Sequence, residues 1–215
     1  MRRRHILGFT LIELMVAIAA MALLALMSWR GLDGMTRAQT VTQARGDAVL
    51  TLQTTLSQWA TDLDATISLT QLEPVDWNGS VLRITRRGGD STRATVIVVA
   101  WTLRTDAATG TQWRRWQSPE ITTRADWQQA WERAATWAQD GGSVAGGTEL
   151  MLMPLESWQL AYFRNGVWTT AVSADGMANA IPDGIRLVLN LPPGNGLTGV
   201  LTRDWVRPTA VVPKS

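Results

Sequence analysis

The sequence predicts an α+β fold in which a long N-terminal helix, transmembrane and then periplasmic, packs on an antiparallel β domain. Three observations predict it. Pro74 is the first proline, so 65 residues from Phe9 to Glu73 are free of proline. Within them, Phe9 to Trp29 is a 21-residue apolar run whose one charge is Glu13. Past Pro74 the hydrophobic period shifts from helical spacing towards two, the signature of strands.

Composition narrows the chemistry before any motif is read. The 215 residues are 46% hydrophobic and 18% charged, which fits one folded domain with appendages. There is no cysteine, one histidine (His5) and one lysine (Lys214). A disulfide framework, a thiolate site, a Ser-His-Asp triad and a phosphate loop with its lysine are all excluded. The formal charge is +2, but Arg2, Arg3 and Arg4 precede the apolar run. Without them the balance becomes −1, so the basicity belongs to the N-terminus and nucleic acid is not an expected partner.

As a helix, Phe9–Trp29 is about 32 Å long against a hydrocarbon core of about 30 Å. The arginines before it stay cytoplasmic by the positive-inside rule, which puts everything after Trp29 outside the inner membrane. A cleaved secretory signal has a shorter apolar core and no carboxylate inside it. Glu13 would cost about 2.5–3.5 kcal/mol at mid-bilayer and less near the edge, so an ionisable residue here points to function. The junction Gly8-Phe9-Thr10-Leu11-Ile12-Glu13-Leu14 resembles the class III leader junction of type IV pilin-like proteins. The resemblance implies a leader of residues 1–8, cleavage after Gly8 by a prepilin peptidase, and N-methylation of Phe9. It implies that Glu13 pairs with a mature N-terminal ammonium, its own or a neighbouring subunit's, during assembly. Phe9 and Glu13 stand at i, i+4 on a helix, and a carboxylate in lipid needs a cation.

The remaining elements follow in order. Residues 9–29 form the transmembrane part of the helix and 30–65 its periplasmic continuation, about 80 Å in all. Val41, Ala44, Ala48, Leu52, Leu56, Trp59 and Leu63 form one apolar face, with Gln43, Asp47, Gln53, Ser57 and Asp62 at polar positions. Gly31 and Gly34 are where the helix would bend or loosen. The β domain, 74–215, is expected to hold about seven strands. They are Val81–Arg86, Ala94–Leu103, Thr111–Gln117, Ser157–Phe163, Val167–Val172, Ile185–Leu191 and Val200–Val206. The Ala94–Leu103 strand is central, Arg87–Asp90 turns the chain, and Asn165-Gly166 marks a hairpin. Trp127, Trp131, Ala134 and Ala138 repeat at helical spacing inside an inserted helix, 123–139, stopped by Asp140-Gly141-Gly142.

Several stretches of the soluble part carry a second resemblance. They include Trp29-Arg30-Gly31-Leu32-Asp33, Ile84-Thr85-Arg86-Arg87-Gly88-Gly89 and Val99-Ala100-Trp101-Thr102-Leu103. Further on come Trp158 to Phe163, Trp168, and Ile181-Pro182-Asp183-Gly184-Ile185-Arg186-Leu187-Val188-Leu189. In that order they resemble the minor pseudopilin J subunits of type II secretion systems (GspJ-like). The Trp-rich insertion at 123–147 departs from that pattern, and minor pilins of type IV pili or DNA-uptake systems share the N-terminal segment equally. The resemblance implies a structural protein without a catalytic site, cofactor or metal. Its partners would be the prepilin peptidase, the minor pseudopilins I and K and the major pseudopilin. It would sit as a single-pass protein of the bacterial inner membrane, with its C-terminal domain periplasmic and part of the pseudopilus tip.

Other signals are weaker. Gly194-Asn195-Gly196-Leu197-Thr198-Gly199 matches G-x-G-x-x-G, but prolines precede it and a strand follows, so it reads as a hairpin loop. Trp113-Arg114-Arg115-Trp116 interleaves bases and aromatics, yet on a strand the two tryptophans face opposite sides. Trp127 and Trp131 are expected to be partly exposed and form the candidate partner interface. Asp106, Glu120, Asp126, Glu132, Asp175, Asp183 and Asp204 form no recognisable catalytic pair.

Overall fold

The computed structural model describes residues 9–89, 94–140, 146–171, 180–194 and 196–209. The chain divides into two units, residues 1–46 and 47–215. In the first, the described residues are fully exposed and form the opening part of helix α1 (Leu11–Asp64). An 18-residue window of α1 reaches a mean hydropathy of 2.4, which with its length makes it apolar enough to cross a membrane. The helix continues through Gly31 and Gly34, where the sequence suggests loosening. Thr36, Thr40 and Thr42 donate their hydroxyls to carbonyls three or four residues back, each at 2.9 Å.

In the second unit, two antiparallel sheets form around the last turns of α1. The first runs in chain order: β1 (Val75–Trp77), β2 (Val81–Arg87), β3 (Val96–Asp106), β4 (Gly110–Gln117) and β5 (Thr148–Pro154). The second comprises β6 (Ser157–Arg164), β7 (Val167–Thr170), β8 (Gly184–Leu191) and β9 (Gly199–Val206), in the order β7-β6-β8-β9. Among the described residues there are thus nine strands in two sheets, against the seven or so the sequence suggests. β1 has three residues, too few to show an alternation, and in β5 a Leu-Met-Leu-Met run follows Thr148 and Glu149, so polar and apolar residues do not alternate. β3 lies at the centre of its sheet and is buried on both faces from Ile97 to Thr102. Asn165 and Gly166 take φ of 51° and 82°, the left-handed pair that a two-residue hairpin turn requires. Val172, Asp90, Gly141 and Gly142 lie outside the described residues.

Two cores result. The first fills the space between the sheets and α1, where Leu52, Trp59 and Leu63 pack against Trp101, Trp113, Trp158 and the inner residues of β8. Burial on α1 begins near Ala48, so Val41 and Ala44 of the expected apolar face stay exposed. The Trp59 ring stands 5.3 Å from Trp101, edge-on, and 5.6 Å from Trp113. The second core covers the opposite face of the first sheet with helix α2 (Arg124–Asp140). Thr123 caps α2, accepting from the Asp126 amide at 3.2 Å and donating to its carboxylate at 2.6 Å. Trp127, Ala130, Trp131, Ala134 and Trp137 then face Val98, Ala100 and Trp116. The expectation that Trp127 and Trp131 are partly exposed is therefore corrected. Both are 7% exposed, because their spacing is that of the helix face that closes the sheet. The outward face of α2 is polar, with Gln128, Gln129, Glu132 and Thr136 exposed.

Candidate functional site

The N-terminal motif is built on the first turn of α1. Thr10 precedes the helix and Glu13 is its third residue, the spacing of a capping box. The Thr10 amide donates to Glu13 Oε2 at 3.0 Å and the Thr10 hydroxyl at 2.9 Å. The Glu13 amide in turn donates to Thr10 Oγ1 at 3.4 Å. Glu13 therefore stabilises the helix start, where an acidic group also suits the dipole. A carboxylate offers about four acceptor sites, so these two bonds leave room for a cation. Phe9 is 91% exposed, immediately before the cap. Gly8 lies outside the described residues. The cap is legible in Thr10-Leu11-Ile12-Glu13 as a T-x-x-E pattern, and it gives Thr10 and Glu13 a local structural role beside the charge pairing expected of Glu13.

A second constellation sits inside the second unit. Asp62, near the end of α1, is fully buried rather than on the polar face where its position suggests. Arg115 grips it in a fork, Nε to Oδ2 at 2.7 Å and Nη2 to Oδ1 at 2.9 Å. Arg86 donates to Oδ1, the Trp101 indole to Oδ2 at 2.9 Å, and Gln58 to Oδ1 at 3.1 Å. One carboxylate thus joins α1, β2, β3 and β4. Apart from Gln58, one helical turn away, the partners are distant in sequence, so helix periodicity gave no signal for them. Their chemistry is structural: five hydrogen bonds fill the acceptor sites of the carboxylate.

On the other face of the same sheet, Glu149 accepts from Trp137 Nε1 at 2.7 Å, Arg104 at 2.6 Å and Arg114 at 2.7 Å. Burial pushes its carboxyl up, but the indole and guanidinium hydrogen bonds and the two positive charges outweigh that. Its pKa is held below the ordinary glutamate value. Arg114 and Arg115 are thereby 9% and 4% exposed. The Trp113–Trp116 stretch accordingly offers no basic groove, and its two tryptophans lie in opposite cores. Gly194 and Gly196 lie between β8 and β9, adjacent antiparallel strands, Gly199 opens β9, and among the described residues no helix follows them. Asp183 pairs with Arg207 at 2.6 Å and Asp204 with Arg186 at 2.7 Å. Glu120 accepts from the Gly89 amide at 3.1 Å. Asp175 lies outside the described residues, among which no acidic or histidine cluster could hold a metal ion.

Comparison with known proteins addresses both parts. Residues 3–29 match the family described as the prokaryotic N-terminal methylation motif. In motif and in fold the chain is pseudopilin-like. The fold is similar to a chain from the crystal structure of the GspK-GspI-GspJ complex of the enterotoxigenic Escherichia coli type 2 secretion system. The match has a TM-score of 0.51 and 18% identity, and covers 75% of this chain and 99% of that one. No curated protein sequence matches. At such identity the likeness is one of fold. The pseudopilin-like chain thus carries its sequence signature within the first 29 residues, and its soluble part is related to solved structures by shape.

Proposed function

We propose that the chain is a minor pseudopilin, the J-type structural subunit of a type II secretion pseudopilus tip. The observation that carries this reading is a pairing within one chain. A methylation motif at residues 3–29 precedes a soluble fold similar, over 75% of this chain and 99% of the other, to a chain crystallised as part of a GspK-GspI-GspJ complex. In this reading the prepilin peptidase cuts after Gly8 and the new amine of Phe9 is methylated. Its ammonium, or a neighbour's, then pairs with Glu13 in the low-dielectric membrane, where such a pair is worth most. The subunit has no catalytic role. It sits in the inner membrane through Phe9–Trp29, its soluble domain in the periplasm, and helps to prime assembly with the I and K subunits before the major pseudopilin extends the filament.

A minor pilin of a type IV pilus or DNA-uptake system is the second reading, favoured because the matched motif describes methylation without specifying a secretion system. Co-expression of the tagged full-length chain with the minor pseudopilins of its own genome tests the choice. Co-purification of the I and K subunits supports the first reading. Capture of pilus or uptake subunits instead, with no I or K, supports the second.

A further inference from the structure

By composition the apolar run stops at Trp29, yet on one side of α1 the apolar surface continues. The helix is unbroken here. At about 100° per residue, Trp29, Leu32 and Met35 share an arc of about 120°, and all three are well exposed. Arg30, Asp33 and Arg37 share an arc of about 60° on another side, where Asp33 and Arg37 pair at 3.1 Å. Thr36 falls in the apolar arc but commits its hydroxyl to the Asp33 carbonyl at 2.9 Å, which leaves its methyl as the outward group. Gly34 lies beside the charged arc, nearly opposite the centre of the apolar one.

Length decides what this face can meet. Phe9–Trp29 already fills a hydrocarbon core of about 30 Å, and the headgroup layer adds only about 5–7 Å on each side. Met35 lies about 9 Å beyond Trp29 along the axis. An upright helix would carry it to the outer limit of the headgroups, whereas a helix leaning towards the apolar arc keeps it inside. We propose that Trp29, Leu32 and Met35 form a lipid-contact face, so that α1 leaves the bilayer tilted towards that side. The face is continuous with the apolar run, and this inference rests on the reading of that run as a membrane anchor. On the same turns Arg30 is placed for anionic headgroups, while the Asp33–Arg37 pair faces water.

The chain has no cysteine, so single-cysteine variants report one position each. Gly34→Cys, Met35→Cys and, within the span, Leu23→Cys would be made in the full-length protein. A Cβ at Gly34 meets nothing within 4 Å. Each variant is reconstituted at low protein-to-lipid ratio in phosphatidylethanolamine–phosphatidylglycerol vesicles and labelled with a charged maleimide. Positions 34 and 35 lie on the same side of the membrane, so protein orientation cancels in their ratio. The expected result is that Met35→Cys labels several-fold more slowly than Gly34→Cys, although it lies one residue further from the bilayer centre. Equal rates, with Leu23→Cys protected, would overturn the lipid face and leave the anchor reading standing. Free labelling of Leu23→Cys would overturn the anchor reading and the inference with it. Protection of Met35→Cys that appears only at high protein density would assign the face to a second copy of the chain, and so refute a lipid contact.

Discussion

Replacing Asp62 by asparagine keeps the size of the side chain and removes the charge that two guanidiniums share. The carboxylate is fully buried and receives five hydrogen bonds, from Arg115 (two), Arg86, Trp101 and Gln58. In the variant the Arg115 fork meets an amide that can accept at one atom only. The other donors face an NH2 group, and two cations lose their counter-charge at a site where water cannot reach Asp62. Removing one partner of a buried ion pair costs about 3–5 kcal/mol, because the group left behind is the larger part of the penalty. For a domain of this size each kcal/mol moves the melting temperature by about 2–4 °C. A soluble fragment starting at Arg30, followed by circular dichroism, should therefore melt at least ~6 °C lower as Asp62→Asn, the low end of those ranges. Arg115→Met should be similarly costly alone, yet add little to Asp62→Asn in the double variant, since the two share one interaction. An Asp62→Asn change within about 0.5 kcal/mol of the parent, the range of ordinary surface substitutions, would refute the reasoning.

Three further outcomes follow from the same structure. Glu13→Ala should leave membrane insertion and cleavage intact, since it removes a charge from the apolar run. It should abolish crosslinking to partner subunits, while Glu13→Asp retains part of it; wild-type assembly by Glu13→Ala would exclude the pairing role. Trp127→Ala should lower stability by about 3–5 kcal/mol, as large-to-small core changes do, because it empties part of the α2 core and removes a 3.0 Å bond to Thr85; loss of partner binding by a domain of unchanged stability would restore it as an interface residue. The depressed Glu149 carboxyl contributes stability that is present above the ordinary glutamate value of 4.5 and is lost as pH falls through its lower folded value. Glu149→Gln should therefore be the less stable protein in urea melts at pH 7, with the gap narrowing below pH 4.5; a gap constant with pH would contradict the assignment.

What was legible in the sequence divides by distance along the chain. The apolar run, the strand alternation of β8 and the Asn165-Gly166 turn are local signals, and each is matched by the structure. β1 was too short to signal, and the apolar residues of β5 run together without alternation. The tryptophans of α2 show the limit of composition. Trp127 and Trp131 stand at helical spacing whether that face meets solvent, a partner or a sheet, and only the strand order shows which face of the first sheet needed cover. Asp62 is the clearest gap. Apart from Gln58, its partners lie 24, 39 and 53 positions away, so its burial depends on tertiary pairing that no window contains. Conversely, the Thr10–Glu13 cap was within reach of a T-x-x-E reading, and only attention to the charge of Glu13 obscured it.

If the chain is a pseudopilin, its N-terminus is processed as the methylation motif implies. Intact-mass measurement of the full-length product, extracted from membranes of a host that carries a prepilin peptidase, tests this directly. The predicted species begins at Phe9, lacks residues 1–8 and carries one added methyl group on its terminal amine. A species that still begins at Met1, or one cut near Ser28 at the end of the apolar run, would contradict the pseudopilin reading.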